Sequence, residues 1–135
     1  MTDATPTPYT DLPGLADLLL EESWVLDIAA HPGRITLRAE LVLTPEHPEY
    51  APPGPQEQFC TRFGTLTLPE VVTLTWTGQG ARPIVDPDGS IDYGNIDVFV
   101  RSGRTTRIDG EFGSLLVESD APKVELDPLP ASPGN

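Results

Sequence analysis

Cysteine, positive charge and long apolar runs are all scarce in this sequence. Its single cysteine, Cys60, cannot form an internal disulfide, which excludes a disulfide-stabilised scaffold. Only 8 of the 135 residues are Lys or Arg, too few for a protein that binds nucleic acid or an anionic membrane surface. No apolar run approaches the roughly 20 residues of a membrane span, and the first ten residues are polar rather than leader-like. We therefore expect a cytoplasmic protein without nucleic-acid or membrane partners.

Residue patterns that mark catalytic and cofactor sites are missing as well. The sequence has no Gly-x-Ser-x-Gly elbow, no phosphate-binding loop and no dinucleotide-binding fingerprint. His31 and His47 lie in different Pro-containing loops, and Cys60 lies in a strand pattern, so none of the three has metal-ligand spacing. A free cysteine usually packs as a small apolar residue. We expect no metal, no cofactor and no catalytic residues, and a non-enzymatic function is favoured.

Acidic residues, in contrast, are abundant and evenly spread. There are 21 Asp and Glu, which give a net charge of -13, and nine of them fall in residues 1–50, six in 51–100 and six in 101–135. A folded body with this distribution carries a broad negative field, which repels polyanions and accelerates encounter with basic proteins. The charge balance thus predicts a basic protein partner.

The 16 prolines divide the chain into segments. They concentrate near both termini and in Pro45–Pro55, so we expect a flexible segment over 1–10, a single domain over 11–126 and a disordered tail over 127–135. The Pro-rich stretch 45–57 is long for a connection within a compact domain. It is either a functional loop or a simple connection.

The pattern after this first segment predicts one short helix. Asp11 is a suitable N-cap, Pro13 fits the first turn, and Leu15, Leu18 and Leu19 fall on one helical face. We expect this helix to end near Glu22.

The rest of the domain has strand patterning. The clearest case is 35–44, where five alternate residues from Ile35 to Leu43 are apolar. Further strands are predicted over 23–29, 59–68, 71–77, 96–101, 104–108, 114–118 and 123–126, with turns at 31–34, at Ser102-Gly103 and at Asp109-Gly110. The predicted fold is α+β and mainly β, with the N-terminal helix packed on an antiparallel sheet or sandwich of about seven strands. The predicted core comprises Leu15, Leu18, Trp24, Leu26, Ile28, Leu37, Leu41, Leu66, Leu74, Trp76, Val98, Val100 and Leu116.

One stretch resembles the middle of an EF-hand calcium loop. Asp86, Asp88, Gly89 and Asp92 match its third, fifth, sixth and ninth positions. The first position is an isoleucine and the twelfth is Asn95, where a bidentate Glu belongs, and no helices flank the loop. We therefore predict turn chemistry here and no specific calcium site.

Two loops supply the candidate partner-binding residues. An acidic, Pro-stiffened loop with an exposed tyrosine suits protein recognition, because proline lowers the ordering cost of binding. The candidates are Glu46, Glu49, Tyr50 and Glu57 in the first loop and Asp86, Asp88, Asp92 and Tyr93 in the second. The one positive cluster, Arg101, Arg104 and Arg107, is expected to pair with neighbouring acids.

The order of a helix, the segment 23–28 (SWVLDI) and a hairpin into 35–43 resembles small bacterial β-rich families, some of them similar to immunity proteins of toxin systems. The segment 92–97 (DYGNID) resembles a stretch of hypothetical proteins with no assigned activity. The resemblance to the β-rich families implies a small acidic inhibitor of a basic protein. The alternative is a small ligand-binding protein or hydrolase with a site between the sheet and the loops 45–57 and 78–95. The oligomeric state stays open.

Overall fold

The protein is an all-β structure of two antiparallel sheets that share one core. The computed structural model describes residues 6–80, 82–85, 87–89 and 91–128. Its strands are β1 Thr7–Pro8, β2 Leu18–His31, β3 Arg34–Leu43, β4 Cys60–Pro69, β5 Thr73–Thr77, β6 Ile84–Val85, β7 Ile91–Asp92, β8 Ile96–Ser102, β9 Thr105–Gly110, β10 Gly113–Glu118 and β11 Lys123–Leu126. A five-stranded sheet has the order β1-β8-β9-β10-β5, a four-stranded sheet has the order β11-β4-β3-β2, and β6 pairs with β7.

The predicted N-terminal helix is wrong, and with it the α+β class. The helical element in the described residues is the single 3-10 turn Tyr9–Asp11. Gly14 has a φ of +83°, which ends any helix that Asp11 could start. Leu18 and Leu19 instead pair with Leu43 and Val42 of β3. A helix this short would have been marginal, whereas the strand gains pairing with β3 on both sides of its bulges.

The strand predicted over 35–44 is confirmed, and its inward face forms the middle of the core. Ile35, Leu37, Ala39, Leu41 and Leu43 are all buried. The turn predicted at 31–34 is also present, since His31 pairs with Arg34 in the β2–β3 hairpin. The five buried residues of β3 pack against apolar side chains of the five-stranded sheet in one cluster. The two sheets therefore lie face to face, and β3 contributes the inner surface of the four-stranded sheet.

The prediction that Trp24, Leu26 and Ile28 form the core face of β2 is wrong for its first two members. The pairing of β2 with β3 shifts register between Leu19 and Trp24 and again between Val25 and Asp27. Such bulges change which side chains face inward. Val25 is consequently fully buried, while Trp24 and Leu26 are half-buried.

In the five-stranded sheet, too, the sequence predicted the wrong side chains to be buried. A register shift between Ile96 and Val98 places Phe99 in the core and leaves Val98 and Val100 half-buried. In β10 the buried side chains are Leu115 and Val117, and Leu116 is 47% exposed.

The turn that joins β9 to β10 also lies later than predicted. The strands remain paired up to Gly110 and Gly113, so the turn falls at Glu111-Phe112 and not at Asp109-Gly110. Leu74 and Trp76 were also predicted to lie in the core, and both are partly buried and pack against the core cluster.

Residues near both ends of the described chain take part in the fold. Thr7 and Pro8 pair with β8, and Tyr9 is buried in the core. At the other end, Asp127 accepts hydrogen bonds from the Arg38 guanidinium. Residues 1–5 and 129–135, which belong to the predicted terminal segments, lie outside the described residues. Within the described part, no helix has the length and apolar character that crossing a membrane requires.

Candidate binding groove

The predicted binding residues of the loop 45–57 do not converge. Glu46 is exposed, and Tyr50 packs against the core. Glu49 accepts a hydrogen bond of 2.7 Å from Nη1 of Arg62, so its charge is used within the fold. Glu57, at the end of the loop, is the member that lines a groove.

The second loop contributes to the same groove through Asp92. Tyr93, the next residue, lines a different and smaller pocket. Asp88 is exposed in a turn, and Asp86 lies outside the described residues. Among the described residues, no group of three His, Cys, Asp or Glu side chains could hold a metal ion. The structure thus brings together Glu57 and Asp92 from the eight predicted residues.

The acidic groove, as we name it, lies on the outer face of the four-stranded sheet and has a volume of about 600 Å³. Its walls are the segment 57–59 on one side and β7 on the other. Its lining residues are Glu22, Trp24, Leu26, Glu40, Glu57, Gln58, Phe59, Thr61, Ile91 and Asp92.

The floor of the acidic groove is set by cross-strand register. Trp24 of β2 lies directly opposite Glu40 of β3, and Glu40 lies opposite Phe63 of β4. Opposed side chains on one face of an antiparallel pair are about 5 Å apart at Cβ. A carboxylate is therefore placed between two aromatic side chains on the outside of the sheet.

The wall formed by β7 is fixed to the edge of β2 by backbone hydrogen bonds. The Tyr93 N–H donates to the Val25 carbonyl at 2.7 Å, and the Val25 N–H donates to the Gly94 carbonyl at 2.9 Å. The Asn95 side chain adds a bond of 2.6 Å to the Ser23 carbonyl. Asp92 is 7% exposed, and its Oδ1 accepts from the Gly94 N–H at 2.7 Å. This wall is therefore held in place before any partner arrives.

The opposite wall is shaped by a local turn. The Glu57 N–H donates to the Gly54 carbonyl at 3.0 Å, and the Gly54 N–H donates to Oε1 of Glu57 at 2.7 Å. These reciprocal bonds position the Glu57 carboxylate next to Gln58 and Phe59. Glu57 keeps its second carboxylate oxygen for other donors.

The electrostatics of the acidic groove are one-sided. Glu22, Glu40, Glu57 and Asp92 line it, and none of its described lining residues is Lys or Arg. None of the described lining residues is Ser, His or Cys. The groove can supply carboxylate acceptors beside apolar and aromatic surface.

Two arginines of the four-stranded sheet are engaged with other groups. Arg38 donates to Asp127 through Nη1 and Nη2, and its guanidinium carbon lies over the Phe63 ring at 5.9 Å from the centroid. These hydrogen bonds raise the pKa of Arg38 and lower the pKa of Asp127. Arg62 is held by Glu49 and by the Asp127 carbonyl.

The arginine cluster lies elsewhere and is largely paired, as predicted. Arg104 binds Asp120, and Arg107 donates to Asp109 at 2.9 Å. Arg101 instead donates to the Thr106 hydroxyl and the Ser119 carbonyl. Burial, and then the charge of Arg104, lower the pKa of Arg101.

Sequence reasoning missed most of the groove. It placed Glu22 at the end of a helix and Trp24 and Leu26 in the core, and it gave Glu40 no role. The sequence held one signal that Trp24 faces outward. Two acids, Glu21 and Glu22, precede it closely, which is unusual beside a core residue. The opposed positions of Trp24 and Glu40 required the register itself.

Comparisons of the chain with protein-family models, curated proteins and solved structures find no match. The function is therefore inferred from the groove's own residues.

Proposed function

We propose that this protein is a non-enzymatic binding module whose acidic groove receives a basic segment of a partner protein. The observation that carries the proposal is the placement of four carboxylates around Trp24, Phe59 and two aliphatic side chains in one groove. Lys or Arg side chains would meet the carboxylates, and the apolar side chains between them would contact the apolar part of the groove.

The residue types in the acidic groove match those that dominate binding energies at interfaces. Tryptophan is enriched among residues whose truncation costs most, and a guanidinium or ammonium group over its ring gains cation–π attraction. Glu40, opposite Trp24, can pair with the same cation. The apolar and ionic contacts would thus act on one incoming side chain.

The net charge of -13 supports the same proposal at longer range. A negative surface attracts a basic partner before contact, which raises the association rate and disfavours acidic competitors. An inhibitor of a basic protein is the specific form that we propose, with a cytoplasmic location in which the free Cys60 stays reduced.

A small cationic ligand is the second candidate occupant. The groove volume of about 600 Å³ lies in the range of small-ligand sites, roughly 300–1,000 Å³. It also lies between the sheet and the two long loops, where a ligand site was the alternative expectation. A peptide and a small cation can be compared in the same assay.

The test uses a labelled seven-residue peptide of alternating arginine and leucine, with binding measured by fluorescence anisotropy. We expect saturable binding at low salt that Trp24→Ala weakens roughly tenfold or more, since buried tryptophans are frequent hot spots. Glu40→Gln, which keeps the side-chain volume, should also weaken binding. The matched control is Glu125→Gln on β11, an exposed acid outside the groove, and it should leave affinity unchanged.

Equal loss of affinity in Glu40→Gln and Glu125→Gln would show that the peptide senses net charge alone, and would contradict the proposal. Arginine amide that binds as tightly as the peptide would favour the small-ligand alternative.

A further inference from the structure

A second, smaller pocket lies on the other side of the segment that walls the acidic groove. It has a volume of about 90 Å³ and is lined by Asp27, Ile28, Trp76, Gln79, Tyr93 and Phe112. Asp92 faces the groove and its neighbour Tyr93 lines this pocket, so the segment 91–93 separates the two.

The aromatic lining of this pocket is built into the fold. The Trp76 indole N–H donates to the Phe112 carbonyl at 3.1 Å, which joins β5 to the β9–β10 turn. Phe112 is buried, and its ring lies so close to Gly110 that a Cβ there would come within 2.5 Å of it. The Tyr93 backbone is fixed to Val25. Three rings from separate parts of the chain thus converge on one small volume.

The chemistry of the lining selects for a cation. Aromatic rings present negative faces, and ammonium groups bound between such rings gain cation–π attraction. Asp27 is exposed and adds a carboxylate on the solvent side, and no Lys or Arg occurs among the described lining residues. An anion would be repelled by Asp27, and a purely apolar ligand would leave Asp27 and Gln79 without a role.

The volume limits the size of the ligand. A cavity of about 150 Å³ holds benzene, which has six heavy atoms, so about 90 Å³ holds roughly four. A nitrogen with three carbon substituents has that size, and the rest of the molecule would extend into solvent.

We propose that this pocket binds the head group of an alkylated ammonium ion. The head group can belong to a free small molecule or to a methylated lysine side chain, because both present the same cation. The site is separate from the acidic groove and stands whether or not the groove binds a basic segment.

The experiment follows the two tryptophan indole signals in the proton–nitrogen correlation spectrum of the full chain, with Trp24→Phe used only for assignment. The probe is tetramethylammonium chloride, and sodium chloride at the same ionic strength is the control. We expect the Trp76 signal to shift saturably with a Kd on the order of millimolar, independently of any change in the Trp24 signal of the groove.

Asp27→Asn should weaken binding about two- to fivefold, because it removes the carboxylate charge of Asp27 while keeping its volume. Tyr93→Leu should weaken it by a similar factor, and Glu125→Gln should leave it unchanged. Tighter binding of a trimethyl-lysine peptide than of choline would assign the site to a side chain, and the reverse would assign it to a free cation. A Trp76 shift reproduced by sodium chloride, or undiminished in Asp27→Asn, would overturn the proposal, and either result leaves the peptide assay on the groove unaffected.

Discussion

At the scale of single residues, Tyr9 shows how the N-terminal segment is attached to the sandwich. Its side chain is 5% exposed, and its ring meets Phe99 edge-on at 6.4 Å between centroids. Its hydroxyl donates to Glu21 at 2.6 Å and accepts from the Leu20 N–H at 3.1 Å. The hydroxyl thus satisfies a buried amide of β2 where the ladder to β3 is interrupted.

Tyr9→Phe should destabilise the protein by about 1–3 kcal/mol, because it removes the acceptor of the buried Leu20 amide. Urea unfolding at neutral pH measures the change in the free energy of unfolding. The matched control is Tyr50→Phe, in a half-buried side chain of the loop 45–57, which should cost clearly less. Equal losses in the two variants would show that the hydroxyl of Tyr9 has no special role.

The same residue predicts a loss of stability in alkali. Burial, and then the hydrogen bond to Glu21, raise the pKa of Tyr9 from 10.0 to about 12. Because the folded state holds the Tyr9 proton more tightly, protonated Tyr9 adds to the free energy of unfolding. This contribution is complete below pH 10 and is lost as the pH rises through 12. Its full size is about 2–3 kcal/mol at 1.36 kcal/mol for each pKa unit.

The measurement is the difference in the free energy of unfolding between the wild type and Tyr9→Phe across this pH range. Other groups titrate in both proteins and cancel in the difference. Parallel curves would contradict the raised pKa of Tyr9.

At the scale of strands, β10 gives a direct test of which face is buried. Leu115 is fully buried in the core, while its neighbour Leu116 is 47% exposed. Leu115→Ala should cost about 2–5 kcal/mol, the usual range for a buried leucine, and Leu116→Ala about 0.5 kcal/mol or less. Each variant is the control for the other in chemical denaturation. A larger loss of stability in Leu116→Ala than in Leu115→Ala would show that the opposite face of β10 is buried.

The contrast between β3 and β2 explains what could be predicted from sequence. In β3 every second residue from Ile35 to Leu43 is apolar, so alternation alone identified the strand and its buried face. In β2 the apolar residues do not alternate strictly, since Leu18, Leu19 and Leu20 are adjacent, and leucines spaced three or four apart also fit a helix. Whether this segment forms a strand or a helix depended on its pairing with β3, a long-range contact that no local pattern contains.

The acidic groove was only partly predictable for the same reason. Glu57 and Asp92 fall in polar, turn-rich stretches of the sequence, which predicted accessible acids, although Asp92 lies in β7 and is 7% exposed. Trp24 was assigned to the core, because a period of two without bulges places it there. The two register shifts in β2 turn it outward, and bulges leave little trace in a single sequence.

At the scale of the whole molecule, the charge of -13 should make stability and binding respond to salt in opposite directions. Screening relieves repulsion among the acids, so raising sodium chloride from about 0.01 M to 0.5 M should increase the Tm by a few degrees. The same change should weaken binding of the arginine and leucine peptide. Differential scanning calorimetry measures the first effect.

A triple variant that neutralises Asp11, Glu46 and Glu125, all exposed and outside the groove lining, is the control for this effect. Its Tm should depend less on salt. A Tm that falls with added sodium chloride would contradict the account of self-repulsion.

The most direct test of the binding proposal is the Trp24 indole signal during titration of the arginine and leucine peptide at low salt. We predict a saturable shift of Trp24 that is weakened at least tenfold by combining Glu40→Gln with Glu57→Gln, because these substitutions remove two of the four groove carboxylates. A peptide that binds with no shift of Trp24, or with the same affinity in the double variant, would contradict the assignment of the acidic groove as the binding site.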